Sequence, residues 1–207
     1  MKLAVFDFDS TLMDGETLEF LGKEFGIDER IKLITDRAMR GEIDFFESLK
    51  ERVLLLKGLS VSKVDEICHS LPIMNGAKEA IYGMKSLGYK VICFSGGFIN
   101  ATKYFMKKLD LDAEFANILH SKNGLLTGDV GGNMMFNDSK GQMLLKLQSL
   151  MNITPSETIA IGDGANDLSM FQYAKTRIAF CAKPVLKNAA NIIIEEKDLS
   201  KILDYVQ

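Results

Sequence analysis

The chain has 207 residues, 47% of them hydrophobic and 26% charged, and a formal net charge of -3. This is the composition of a globular protein with a sizeable core, and it offers no basic field to attract nucleic acid. No apolar run reaches the roughly 18 residues that span a membrane, and three scattered cysteines build neither a disulfide framework nor a zinc site.

Residues 3–8 form a short, nearly unbroken apolar run, the pattern of a buried strand. Met1-Lys2-Leu3 enters it directly, with no secretory leader, so a cytoplasmic location is expected. A helical pattern follows. Leu18, Leu21 and Phe25 share one face before Gly26; Ile31, Ile34 and Ala38 share another before Gly41. Phe46, Leu49, Val53 and Leu56 repeat the spacing before Gly58, and Val64, Ile67 and Leu71 follow Ser60 or Ser62 as N-cap. Four amphipathic helices with glycine stops predict a small helical unit over residues 14–71, inserted behind the first strand as a cap. The remainder, 1–13 and 72–207, is the expected α/β core.

The α/β pattern resumes with a helix from Ala77 to Leu87 and a strand Val91–Phe94, from which Ser95-Gly96-Gly97 turns out. Phe98 to Leu109 reads as a helix and Phe115 to Leu119 as a strand. Asn123-Gly124 marks a hairpin turn, with a small β excursion to about Phe136. Lys140–Met151 is a helix and Thr158–Gly162 a strand that releases Asp163-Gly-Ala-Asn-Asp167. Leu168 and Phe171 begin the next helix. Ile178–Cys181 is a strand, Pro184 to Ala190 a short helix, Ile192–Ile194 a last strand, and Leu199 to Val206 a closing helix. Strands alternating with helices predict a mostly parallel sheet covered on both faces. Cys93 and Cys181, both in apolar runs, read as small core residues.

Ligands of such sheets bind at the carboxyl ends of the strands. Asp7-Phe8-Asp9-Ser10-Thr11 leaves the first strand there. Asp7 and Asp9, two apart, face the same side, and two carboxylates in one crevice repel unless a cation or a shared proton intervenes. Phe8 points the other way, into the core, and Thr11 is expected to hydrogen-bond locally in the turn. Ser95-Gly96-Gly97, Lys140 and Asp163/Asn166/Asp167 fall at the same predicted edge. Each signal alone has an ordinary reading as a loop or a surface charge. Together they suit phosphoryl transfer from a small ester. Asp7 attacks phosphorus, and Asp9 gives and takes the proton. Ser95 and the Gly96 amide hold phosphate oxygens, and Lys140 neutralises growing charge. Mg2+ would be held by Asp7, the backbone carbonyl of Asp9 and Asp163, with Asp167 just outside.

These residues resemble the motifs of the haloacid dehalogenase superfamily of aspartate-nucleophile phosphatases: Asp-x-Asp-x-Thr at Asp7–Thr11, then Ser95, Lys140 and Asp163–Asp167. Phe6-Asp-Phe-Asp-Ser-Thr-Leu12, Glu16, Ser95-Gly-Gly-Phe98, Gly162–Asp167 and Ala179-Phe-Cys-Ala-Lys-Pro184 are similar to the phosphoserine phosphatase family within it. That resemblance implies a Rossmann-like core with a helical cap, in a short form without a regulatory domain. It implies Mg2+-dependent hydrolysis of O-phospho-L-serine, the last step of serine biosynthesis, by a monomer or homodimer. It places Glu16 on the substrate ammonium and Arg52 on its carboxylate. Ser95, Gly96, Lys140 and Asn166 would hold the phosphate, and Met39 and Phe45 would line the cap side. The alternatives are a phosphatase or phosphotransferase for another small phosphomonoester and, in a different class, a phosphate-accepting receiver module.

Overall fold

The computed structural model describes residues 1–206, apart from the side chain of Met39. The apolar run at the start becomes β1 (Lys2–Asp7), buried along almost its whole length. Four helices follow: α1 (Thr17–Phe25), α2 (Asp28–Met39), α3 (Phe45–Leu54) and α4 (Val61–Ser70). Gly26 stops α1 in the left-handed conformation, φ 66°, which a residue without a side chain adopts at little cost. Asp44 and Glu47 close a capping box at the start of α3.

The chain then alternates: α5 (Ala77–Ser86), β2 (Tyr89–Phe98), α6 (Ile99–Lys108), β3 (Ala113–Lys122), β4 (Leu125–Gly132), α7 (Ser139–Met151) and β5 (Thr158–Gly162). It ends with α8 (Leu168–Phe171), β6 (Thr176–Phe180), α9 (Pro184–Lys187) and β7 (Ile192–Ile194). Among the described residues the strands form one seven-stranded sheet in the order β4-β3-β2-β1-β5-β6-β7. All neighbours are parallel except the β3–β4 hairpin at one edge. This is the α/β architecture that the alternation of strands and helices predicts.

β1 lies between β2 and β5, and the register decides where the chemistry collects. Asp7 pairs with Phe94 and Phe6 with Ile161, so Ser95 and Asp163 follow at the same edge as Asp7. Alternate residues of β1 feed two cores. Leu3 and Val5 pack with Phe94, Leu144 and Ala160 on one face. Ala4, Phe6 and Phe8 pack on the other, where the core runs on through Leu12 and Met13 to Leu21, Leu49 and Val53 of α1 and α3. Phe8 is fully buried and meets Phe105 edge-on at 5.1 Å.

Several expectations need correction. β2 does not stop at Phe94; Ser95-Gly96-Gly97 lies within its last turn of chain, where the pairing with β3 slips between Phe94 and Phe98. The closing segment is a 3-10 helix, Leu199–Tyr205, and α9 is only four residues long. Cys181 is exposed with φ 44°, because the chain turns sharply after β6; Cys68 and Cys93 are the buried thiols. Thr11 Oγ1 is buried with no hydrogen-bond partner, while the turn itself is closed by backbone bonds from Thr11, Leu12 and Met13 to the Phe8 carbonyl.

Candidate active site

Asp7 ends β1 almost fully buried, and Lys140, from the first turn of α7, reaches it. The Lys140 ammonium donates to Asp7 Oδ1 in a very short contact and to Asp167 Oδ1 at 2.6 Å. The other oxygen of Asp167 accepts from the backbone N–H groups of Asp163 and Gly164, each at 3.0 Å. Only glycine fits at 162, since a Cβ there would stand 2.3 Å from that oxygen. Asp7, Asp163 and Asp167 each present an oxygen within 4.8 Å of the others.

Three carboxylates surround the Lys140 ammonium, with Lys183 pulling on Asp163 from the side, and the balance stays negative. Burial first, then the charge of Asp167, pushes the Asp7 carboxyl well above its ordinary range, against the pull of Lys140. Burial and Asp167 likewise raise Asp163 to about 6. Burial opposes the charge of Lys140, but Asp167 and Asp7 outweigh it, so the ammonium is held protonated. An oxygen-lined, over-acidic cluster of this kind fits a hard divalent cation.

Asp9 stands apart from that cluster. Its Oδ1 accepts from the backbone N–H of Thr17 at 2.7 Å and from Thr17 Oγ1 at 2.6 Å. Its Oδ2 accepts from Ser95 Oγ at 3.3 Å, and Ser95 Oγ accepts in turn from the N–H of Gly97 at 2.9 Å. Burial raises its carboxyl, and the two bonds from Thr17 oppose the rise. Thr17 opens α1, so Asp9 is tied to the first of the four inserted helices, and the motif reading missed this partner. Asn117 was missed as well. It is fully buried, donates to the carbonyls of Gly96 and Met134 at 3.1 Å each, and accepts from the N–H of Met134 at 2.9 Å. An amide inside the apolar run Phe115–Leu119 was the available signal.

The inserted helices cover this edge. Phe45 reaches to within 3.1 Å of where a Gly96 Cβ would stand, with the Asn166 amide 4.0 Å from the same point. Glu16 caps α1 and accepts from Ser10 Oγ at 2.8 Å. Burial, then the charge of Asp9, pushes its carboxyl up to about 8, against the Ser10 bond. Arg52 donates from Nε to the Ser48 carbonyl at 3.2 Å. Burial lowers its guanidinium, and Glu16 and Asp9 are the charges that oppose this. Arg52 thus shares a field with Glu16 and Asp9, although no ion pair joins it to either among the described residues. The side chain of Met39 lies outside the described residues.

Glu16 gives a pH dependence. Its folded carboxyl titrates near 8 against an ordinary 4.5, so the folded chain keeps a proton that the unfolded chain loses between those values. Stability without ligand therefore falls as pH rises from 5 to 8. Glu16→Gln should lessen that fall by about 1–3 kcal/mol, less than full burial would give because the side chain keeps some solvent contact. Urea unfolding of both proteins at pH 5 and 8 measures the difference; equal falls would contradict it.

The residues of the chain match the family model described as haloacid dehalogenase-like hydrolase over positions 1–175. A protein of Wolinella succinogenes named phosphoserine phosphatase is 59% identical over the whole of both chains. One of Methanocaldococcus jannaschii with the same name is 46% identical, over 100% of this chain and 98% of its own. The chain belongs to the haloacid dehalogenase-like hydrolases, in the phosphoserine phosphatase family. A solved structure described as a phospho-aspartyl intermediate analogue of phosphoserine phosphatase superposes with a TM-score of 0.94, at 46% identity, over 100% of this chain and 99% of its own. A substrate-bound phosphoserine phosphatase complex gives the same TM-score and identity, over 100% and 98%. Membership accounts for the order of the motifs along the sheet edge. Among the described residues no helix is long and apolar enough to cross a membrane.

Proposed function

We propose that the chain is a Mg2+-dependent phosphatase that hydrolyses O-phospho-L-serine to L-serine and phosphate, with helices 14–71 acting as a cap over the 1–13 and 72–207 core. One observation carries the choice of substrate. Glu16 and Arg52 are both enclosed near Asp9, and among the described residues no ion pair joins them; Glu16, which keeps its proton up to about pH 8 without ligand, would ionise against a bound ammonium. A carboxylate and a guanidinium so placed suit the ammonium and carboxylate of an amino acid, and the guanidinium can bind the latter with two bonds. The names of the relatives support the same reading.

Asp7 would attack phosphorus and form a P–O bond as the bond to the serine oxygen breaks. Asp9, its proton favoured by burial, would give that proton to the leaving oxygen. It would then take one from the water that cleaves the aspartyl phosphate, releasing phosphate and restoring Asp7. The Ser95 hydroxyl, the Gly96 N–H and Asn166 would hold phosphate oxygens. Lys140 would balance charge on Asp7 and on the transferring group. Held by Asp7, the carbonyl of Asp9 and Asp163, Mg2+ would supply positive charge that lets the phosphate approach a carboxylate. Both oxygens of Asp167 already accept hydrogen bonds, which suits an orienting place just outside that set.

Arg52→Ala tests the substrate reading. Loss of a buried, charge-assisted pair should lower kcat/KM for phosphoserine by about 10²–10³-fold. A generic aryl phosphate, which has no carboxylate, should lose less than about tenfold. Equal losses on both substrates would remove Arg52 from carboxylate binding.

A further inference from the structure

Helix α3 is held to the rest of the molecule in unlike ways at its two ends. Beyond its C-terminal end the backbone is stitched to the β3–β4 hairpin. Gly58 N–H donates to the Leu126 carbonyl at 2.8 Å, Leu126 N–H to the Leu59 carbonyl at 2.9 Å, and Val61 N–H to the Gly124 carbonyl at 2.9 Å. Gly128 brings the hairpin so close that a Cβ there would stand 3.1 Å from Leu54 Cδ1. The N-terminal end has nothing of the kind. Among the described residues, no hydrogen bond or ion pair joins residues 44–49 to the sheet or to α5–α9. Leu49 anchors the inner face of this end in the core, and at the first turn the contacts are two rings: Phe45 lies over Gly96, and Phe46 stacks on Phe136 with centroids 5.0 Å apart and planes 28° apart.

Phe136 lies in the loop between β4 and α7 and is 55% exposed, so core packing does not explain its ring. We propose that Phe136 is a positioning residue: by stacking on Phe46 it holds the first turn of α3, and with it Phe45, closed over the phosphate loop. The three backbone bonds at residues 58–61 act as the hinge. The Phe45 end of α3 is then the part that swings to admit substrate, while the Arg52 end stays near its place. A stack between a half-buried ring and an exposed one is suited to this work. It is strong enough to favour closure and weak enough to break at each turnover. Backbone bonds at that end would lock the site, and a purely polar contact would compete with water.

The inference rests on the proposed substrate only for its kinetic arm. In Phe136→Ala, KM for phosphoserine should rise about 2- to 12-fold, the equilibrium equivalent of one aromatic pair. kcat should hold or rise, since opening becomes easier. Phe136→Tyr, which keeps the ring, should match the parent. Hydrogen exchange on the unliganded protein gives the second arm. In Phe136→Ala the amides of residues 47–50 should exchange faster, and those of 58–61 and of β1 should not. An unchanged KM with unchanged exchange would overturn the proposal. So would exchange that quickens equally throughout the sheet, which marks a general loss of stability. If the parent protein fails to cleave phosphoserine, the substrate reading fails, and exchange at residues 47–50 still decides the role of Phe136.

Discussion

Asp7→Asn should lower phosphatase turnover by at least about 10⁴-fold while the protein stays folded. The amide has nearly the shape of the carboxylate but cannot attack phosphorus. Folding should survive for an electrostatic reason. Asp7 shares its cluster with Asp163 and Asp167 around the ammonium of Lys140, and burial with the charge of Asp167 drives its carboxyl towards the neutral form. A neutral group there removes repulsion, and Lys140 keeps its 2.6 Å bond to Asp167. Without metal, the variant should match or exceed the parent in stability at pH 8. The advantage should shrink as pH falls, because a carboxyl raised by burial takes up its proton more readily and the parent sheds excess charge. Turnover assays and thermal unfolding at the two pH values measure both effects. Turnover within tenfold of the parent would reject Asp7 as the nucleophile.

Lys140→Met should damage both stability and chemistry. The ammonium is almost wholly buried between Asp7 and Asp167, and its removal leaves two buried carboxylates without their counter-charge. Breaking such a pair from one side costs about 3–5 kcal/mol. The loss should be smaller at pH 5 than at pH 8, because the stranded Asp7 carboxyl, already raised by burial, takes up a proton more readily as pH falls. Mg2+ should recover part of it, since a cation in the carboxylate cluster would replace some of the missing charge. Turnover should fall about 10²–10³-fold, the usual cost of removing one preorganised charge from a transition state. Unfolding at both pH values, with and without Mg2+, separates the two losses. A variant as stable as the parent at pH 8 would contradict the charge balance drawn for the cluster.

What was legible in the sequence was what local pattern controls. β1 is a continuous apolar run, and the inserted helices carry a 3.6-residue stripe with glycine stops. Asp7, Ser95, Lys140 and Asp163 could be placed at one edge because parallel strands share one direction. What was hidden depends on contacts between distant segments. β2 runs on through Gly97 because Phe98 pairs with Asn117 after a slip in register, which no feature of the loop itself announces. Asn117 gains its role only when the β3 strand, the Gly96 carbonyl and the Met134 backbone meet. Thr17 is an ordinary first residue of a helix until the fold sets it against Asp9. Cys181 looked like core because it follows an apolar strand, but its backbone has already turned outward.

The most direct test of Mg2+-dependent amino-acid phosphatase chemistry is phosphate release by the unmodified protein. O-phospho-L-serine and phosphoethanolamine, which lacks the carboxylate, should be compared with Mg2+ and after its removal by a chelator. The expected result is release from phosphoserine that requires Mg2+ and exceeds that from phosphoethanolamine by about 10²-fold or more in kcat/KM. Equal release from the two esters, or release from phosphoserine that survives chelation, would contradict it.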